Sequence, residues 1–179
     1  AELQREFGET PSVYASPSRL TEVFLNLLTN AVHALSESPP AEGKAWIRVT
    51  TGVDTSGQVM VEIADNGPGM TPEVAARVFD PFFTTKPVGT GTGLGLPICQ
   101  TILTELGGEI AVHSAKGQGA VFRVTLLPMT QTIEAEQVER AGPPEVRVLV
   151  HGYLRRFINI LQNQPTLTSI RCLFISFLK

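Results

Sequence analysis

From Leu20 onward, apolar residues recur every three or four positions: Leu20, Val23, Phe24, Leu27, Leu28, Ala31, Ala34 and Leu35. That period is the stripe of an amphipathic helix, predicted over Pro17 to Ser36 with Ser16 or Ser18 as its cap. The period then drops to two. Trp46-Ile47-Arg48-Val49-Thr50 and Val59-Met60-Val61-Glu62-Ile63 alternate as strands do, and Asp54-Thr55-Ser56-Gly57 joins them into a hairpin. Thr71 before Pro72-Glu73 opens a short helix to about Val78. A longer helix is predicted from Leu94 to Leu106, stopped by Gly107-Gly108, with Pro97 tolerated in its first turn. Two more strands follow, Glu109 to Ser114 and Ala120 to Leu127, joined through Lys116-Gly117-Gln118-Gly119. Asp80 to Thr92 carries glycines, prolines and threonines without apolar period and reads as a mobile loop. The sum is an α+β chain, a two-layer α/β sandwich with a mixed sheet and helices on one face.

Composition narrows the classes. A chain of 179 residues, 42% hydrophobic, suits one domain with an appendage. A net charge of -3 gives no case for a nucleic-acid surface. Cys99 and Cys172 fit a reducing compartment better than a disulfide framework. No signal peptide is visible at Ala1, and the apolar run Leu173 to Leu178 is far short of the roughly 20 residues of a membrane helix. The expectation is a cytoplasmic chain without direct membrane insertion, compatible with being a piece of a larger membrane-attached protein.

Candidate chemistry lies in four stretches. Asp65 ends a strand and is followed by Gly67 and Gly69. A buried carboxylate there accepts hydrogen bonds from an exocyclic amino group such as adenine's, and glycines let the backbone approach a flat ring. Alone, the stretch reads better as an ordinary turn. Gly91, Gly93 and Gly95 precede a helix, where free N–H groups form an anion nest for phosphate. This is neither the dinucleotide fingerprint nor a P-loop. Asn26 and Asn30 lie one turn apart on the first helix, and His33 follows. Magnesium keeps its waters and phosphates, so one amide oxygen is a sensible protein ligand. Asn30 is read that way, whereas at Asn26 a helix–helix hydrogen bond is an equal alternative. His33 reads as polar surface that could also reach a phosphate, Lys86 as a solvated loop lysine that could also neutralise one, and Phe79, Phe82 and Phe83 would anchor the loop by burying their rings.

Together these stretches resemble the catalytic ATP-binding domain of sensor histidine kinases, within the superfamily shared with gyrase, mismatch-repair ATPases and heat-shock chaperones. The match covers about Phe7 to Pro128: the N box (Asn26 to Ala31), the G1 box (Asp65 to Gly69), the F box (Phe79 to Phe83) and the G2 box (Gly91 to Leu96). It implies the Bergerat ATP-binding fold with ATP and Mg2+ as cofactors. Asn30 would hold the metal and Asp65 read adenine, with Gly67 and Gly69 lining the pocket. Thr92, Gly93, Leu94, Gly95 and Leu96 would cradle phosphate, and Asn26, His33 and Lys86 would form the catalytic set. Asn26 stands where hydrolysing relatives carry a water-activating glutamate, which suits a kinase. The implied reaction passes the γ-phosphate to a histidine on a separate dimerisation domain, with a response regulator downstream. Alternatives are an ATPase clamp module of the same superfamily and an anti-sigma-type serine kinase.

Some residues depart from the pattern. Ala120 replaces a usual threonine, Ser16 stands where aspartate is common, and His33, His113 and His151 all lie outside a phosphoacceptor context. The domain is expected over 1–128, with a linker over 129–145 that includes a short helix in Ile133 to Arg140. The tail 146–179 is read as a truncated receiver-like remnant, because Val146 to Val150 looks like a receiver's first strand. His151-Gly152 replaces the acidic pair expected there, so a working receiver is excluded.

Overall fold

The structure, a computed structural model, describes residues 2–40, 43–86, 91–129 and 146–163. Strand β1 is Glu2–Phe7, β2 is Ser12–Ala15, and helix α1 is Pro17–Glu37. The hairpin comprises β3 (Trp46–Val53) and β4 (Val59–Asp65). Helix α2 is a single turn, Pro72–Ala75, and α3 is Gly95–Glu105. Then come β5 (Glu109–Ser114), β6 (Ala120–Leu126), β7 (Val146–Leu149) and α4 (Val150–Asn163).

Five strands form one sheet in the order β1-β3-β4-β6-β5. β1 runs parallel to β3, and the other pairs are antiparallel, so the sheet is mixed as expected. Alternation assigns its faces. Ile47, Val49, Val61, Ile63, Phe122 and Val124 pair in register on one side and share a core with Leu20, Phe24, Leu27 and Leu28 of α1. Cys99 and Leu103 of α3 close the same core. The apolar stripe of α1 is thus the reason for the two-layer arrangement.

Three local expectations change. Ser16 is the N-cap of α1, yet its hydroxyl meets Ser18 Oγ at 2.8 Å instead of a helix N–H. With Pro17 at the first helical position, one of the orphan donors is already missing. Strands β1 and β2 were not anticipated. Phe82 does not bury its ring: it is 74% exposed, at φ 67°. Backbone holds that point, since the Phe82 N–H donates to Gly93 O at 2.9 Å. Phe83 is half-buried under Arg77, whose guanidinium lies 4.4 Å from the ring centre.

The tail strand occurs where a strand was expected, but its partner is β2. The two form a separate antiparallel pair with Ser12 opposite Leu149. The helix follows that strand at once. The expected linker helix, Cys172 and the late apolar run lie outside the described residues. No helix among the described residues is long and apolar enough to cross a membrane.

Candidate nucleotide site

Asp65 is the last residue of β4 and only 5% exposed. Its Oδ1 accepts the Gly67 N–H at 2.9 Å. No ion pair among the described residues includes it. Burial pushes its carboxyl up to about 6, against the pull of the Gly67 and Ala120 N–H groups. A desolvated carboxylate without a cation is a strong acceptor for a neutral donor brought to it.

The glycines around it are required by closeness. A Cβ on Gly67 would stand 2.8 Å from Asp65 Oδ1. Gly119, at φ 75°, passes so near that a Cβ would lie 1.9 Å from the Asp65 carbonyl oxygen. Segment 66–70 is sewn to the β5–β6 turn. The Gly117 N–H donates to Pro68 O at 2.7 Å, and the Met70 N–H to Ser114 Oγ at 2.9 Å. Ser114 in turn donates to Gly119 O at 2.6 Å. Asn66 fixes the other flank, accepting the Trp46 N–H at 2.7 Å. Sequence reading missed Ser114 and Asn66. Asn66 stands inside the G1 motif and was legible as a turn residue, but nothing in the sequence ties Ser114 to Met70.

At the other end, α1 presents a polar line in its apolar context: Asn26, Asn30 and His33, with Glu37 one turn further. Asn26 Nδ2 donates to Gly95 O at 3.4 Å, and the amide also meets the Cys99 thiol. That is the helix–helix contact held open for it. Asn30 is half-buried, and its side chain makes no hydrogen bond among the described residues. His33 Nδ1 accepts from Lys86 Nζ at 2.8 Å, which joins two predicted residues from elements 53 positions apart. Burial lowers the pKa of both, and for His33 the Lys86 charge adds to it.

The start of α3 lies beside Asn26. Gly93, at φ 65°, crosses Phe82 so closely that a Cβ would fall 2.4 Å from its carbonyl carbon. Thr92 Oγ1 accepts the Leu94 N–H at 3.3 Å. Gly95 and Leu96 open the helix, and Pro97 offers no N–H, so the free donors of this N-terminus are few and fixed. No group of three or more His, Cys, Asp or Glu among the described residues forms a metal cage. An amide such as Asn30 fits a magnesium ion that is held mainly by phosphates.

Comparison with known proteins decides the family. Residues 15–131 match the model for the "Histidine kinase-, DNA gyrase B-, and HSP90-like ATPase" family. The chain belongs to this family. Within it, the chain is similar to the C4-dicarboxylate transport sensor protein DctB of Pseudomonas aeruginosa, 41% identical over 128 residues, 71% of this chain and 20% of that one. Sensor histidine kinase ZraS of Klebsiella oxytoca is 44% identical over 110 residues, 62% of this chain and 22% of that one. Among solved structures, full-length ShkA in complex with AMPPNP superposes with a TM-score of 0.58 at 31% identity, covering 70% of this chain and 25% of that one. The catalytic domain of histidine kinase ThkA gives 0.56 at 32% identity, covering 70% and 78%. The chain spans about a fifth of the length of the curated relatives it matches. It is a histidine-kinase-type ATP-binding domain.

Proposed function

We propose that this domain holds magnesium-ATP and passes its γ-phosphate to a histidine on a separate dimerisation domain, from which a response regulator takes it. The observation that carries the reading is Asp65: a buried carboxylate with no cation, flanked by glycines at contact distance. It would accept the adenine amino group while Gly67 and Gly69 admit the ring. The amides at Gly95 and Leu96 and the Lys86 ammonium would meet the phosphates. Asn30 would hold the magnesium ion, which supplies charge neutralisation on the phosphates when bound.

Asn26 sets the choice of reaction. Its amide cannot remove a proton from water, and it is engaged with Gly95 and Cys99. A neutral histidine nitrogen attacks with its own lone pair and needs no base at that atom. The residues therefore favour transfer to histidine over hydrolysis, and over an ATPase clamp. Incubation with labelled ATP and a panel of dimerisation-domain fragments tests this. Acid-labile label on a fragment, with little hydrolysis by the domain alone, is expected. Acid-stable label would point to a serine kinase, and fast unaided turnover to the clamp.

A further inference from the structure

Residues 146–163 lie outside the family match at 15–131, yet five of them belong to the domain's core. Val148 of β7 and Val150, Leu154, Ile158 and Leu161 of α4 are all at most 6% exposed. Their helical spacing gives α4 a single apolar face. That face packs over β3 and shares one core with Phe7 and Val13 from the start of the chain and with Leu20, Val23 and Phe24 of α1. Polar contacts grip the same ground. Tyr153 OH donates to Pro17 O at 3.0 Å and meets Thr21 Oγ1. The Thr10 N–H donates to His151 Nδ1 at 3.3 Å, and Arg147 Nε to Ser12 Oγ at 2.9 Å. Arg5 of β1 reaches Asn159 and Gln162, and Arg155 lies 5.9 Å from the Phe7 ring centre.

The polar contacts fall on β1, β2, the loop between them and the N-terminal end of α1, and α4 also packs on β3. Among the described residues, none of the bonds named here reaches a site residue. We infer that 146–163 is a built-in strap, a strand-plus-helix unit docked by strand addition along β2, which clamps the entry strands of the domain to α1. Strand addition supplies main-chain pairing, and the apolar helix face supplies most of the affinity. The docked surface is therefore specific for a strand followed immediately by an amphipathic helix, and in this chain the occupant is 146–163. Any domain joined ahead of Glu2 connects through the strands that the strap holds.

The test uses the full chain. A protease site placed within 130–145 is cut under native conditions, and the product is run on a sizing column. The strap fragment is expected to co-elute with the rest. In the uncut chain, Leu154→Asp should raise amide exchange in Glu2–Phe7 and Ser12–Ala15 by roughly tenfold or more, while β4 and β6 change by less than about twofold. Separation of the nicked fragment at micromolar protein overturns the inference. So does unchanged exchange in β1 and β2. If Leu154→Asp unfolds the whole chain, the nicking result decides alone, since it needs no core substitution.

Discussion

The Asp65 end of the site and the end where Lys86 meets His33 are built from opposite materials. At Asp65 close-packed backbone dominates. Segment 66–70 and the β5–β6 turn interlock through main-chain groups bonded to one another and to the Asp65 and Ser114 side chains at 2.6–2.9 Å, and a single carboxylate sits dehydrated among them. At the other end, side chains make the contacts: Lys86 meets the His33 ring, and the Asn26 amide reaches the Gly95 carbonyl. The first arrangement is rigid and intolerant of added atoms. The second is half-exposed and adjustable, which suits a polyphosphate that must move as it reacts. On the proposed function, rigid recognition of the base beside adaptable handling of the phosphates would let the domain keep its nucleotide while the chemistry proceeds.

The sharpest break is at Gly119. A methyl group there meets the Asp65 carbonyl oxygen at 1.9 Å on a backbone with φ 75°. Gly119→Ala should cost about 2–3 kcal/mol of stability, read by denaturant unfolding, and should abolish nucleotide binding. A similar change at Gly117, where a Cβ meets nothing within 4 Å, should cost less.

Asp65→Asn separates stability from binding. Between the ordinary carboxyl value of 3.8 and about 6, the folded chain holds this proton more tightly than the unfolded chain does. The charged group therefore costs stability at neutral pH, on the order of 3 kcal/mol, and that cost disappears as the pH falls through the window. Asp65→Asn should melt no lower than the parent at pH 7, yet bind ATP about tenfold or more weaker in calorimetry. In the parent, ATP affinity should fall below pH 6 even as this group's contribution to stability rises. Parallel changes in both would remove Asp65 from base recognition.

At the Lys86–His33 end the effects should be smaller and separable. Asn30→Ala should weaken magnesium-ATP severalfold, by about 1 kcal/mol, but leave ATP in a chelator nearly unchanged. Equal losses would make Asn30 structural. Lys86→Met should weaken ATP by about threefold, and the difference should shrink with added salt. If it matched the loss at Asp65, the contrast between the two ends would collapse.

Residues explain what was legible in the sequence. The long periodic elements α1, β3, β4, α3, β5 and β6 stood where their spacing put them, because burial on one face writes itself into the sequence. β1 escaped because it is an edge strand. Its Glu-Leu-Gln-Arg-Glu-Phe has only Leu3 and Phe7 to bury, and its pairing with β3 is a fact about residues 44 positions away. Phe82 misled because aromatic character suggested burial, while a local backbone bond fixed the chain instead. The Lys86–His33 pairing and the Ser114 link are side-chain encounters that only the closed fold creates. The tail was read by its strand pattern alone, and the apolar face of α4 becomes meaningful only against Phe7 and Leu20.

The pairing of β2 with β7 also has a consequence for the making of the chain. Thr10 and His151 meet across 141 positions, so this closure must wait until β7 and the start of α4 have been synthesised. Until Val146–Leu149 emerges, the outer edge of β2 is an uncovered strand beside an apolar surface, the kind of edge that recruits the wrong partner. Long-range closures of this sort are slow. The order of synthesis thus makes β7 the strand that ends the exposure of β2 to aggregation, and a ribosome that stops short of it releases a domain with that edge still open.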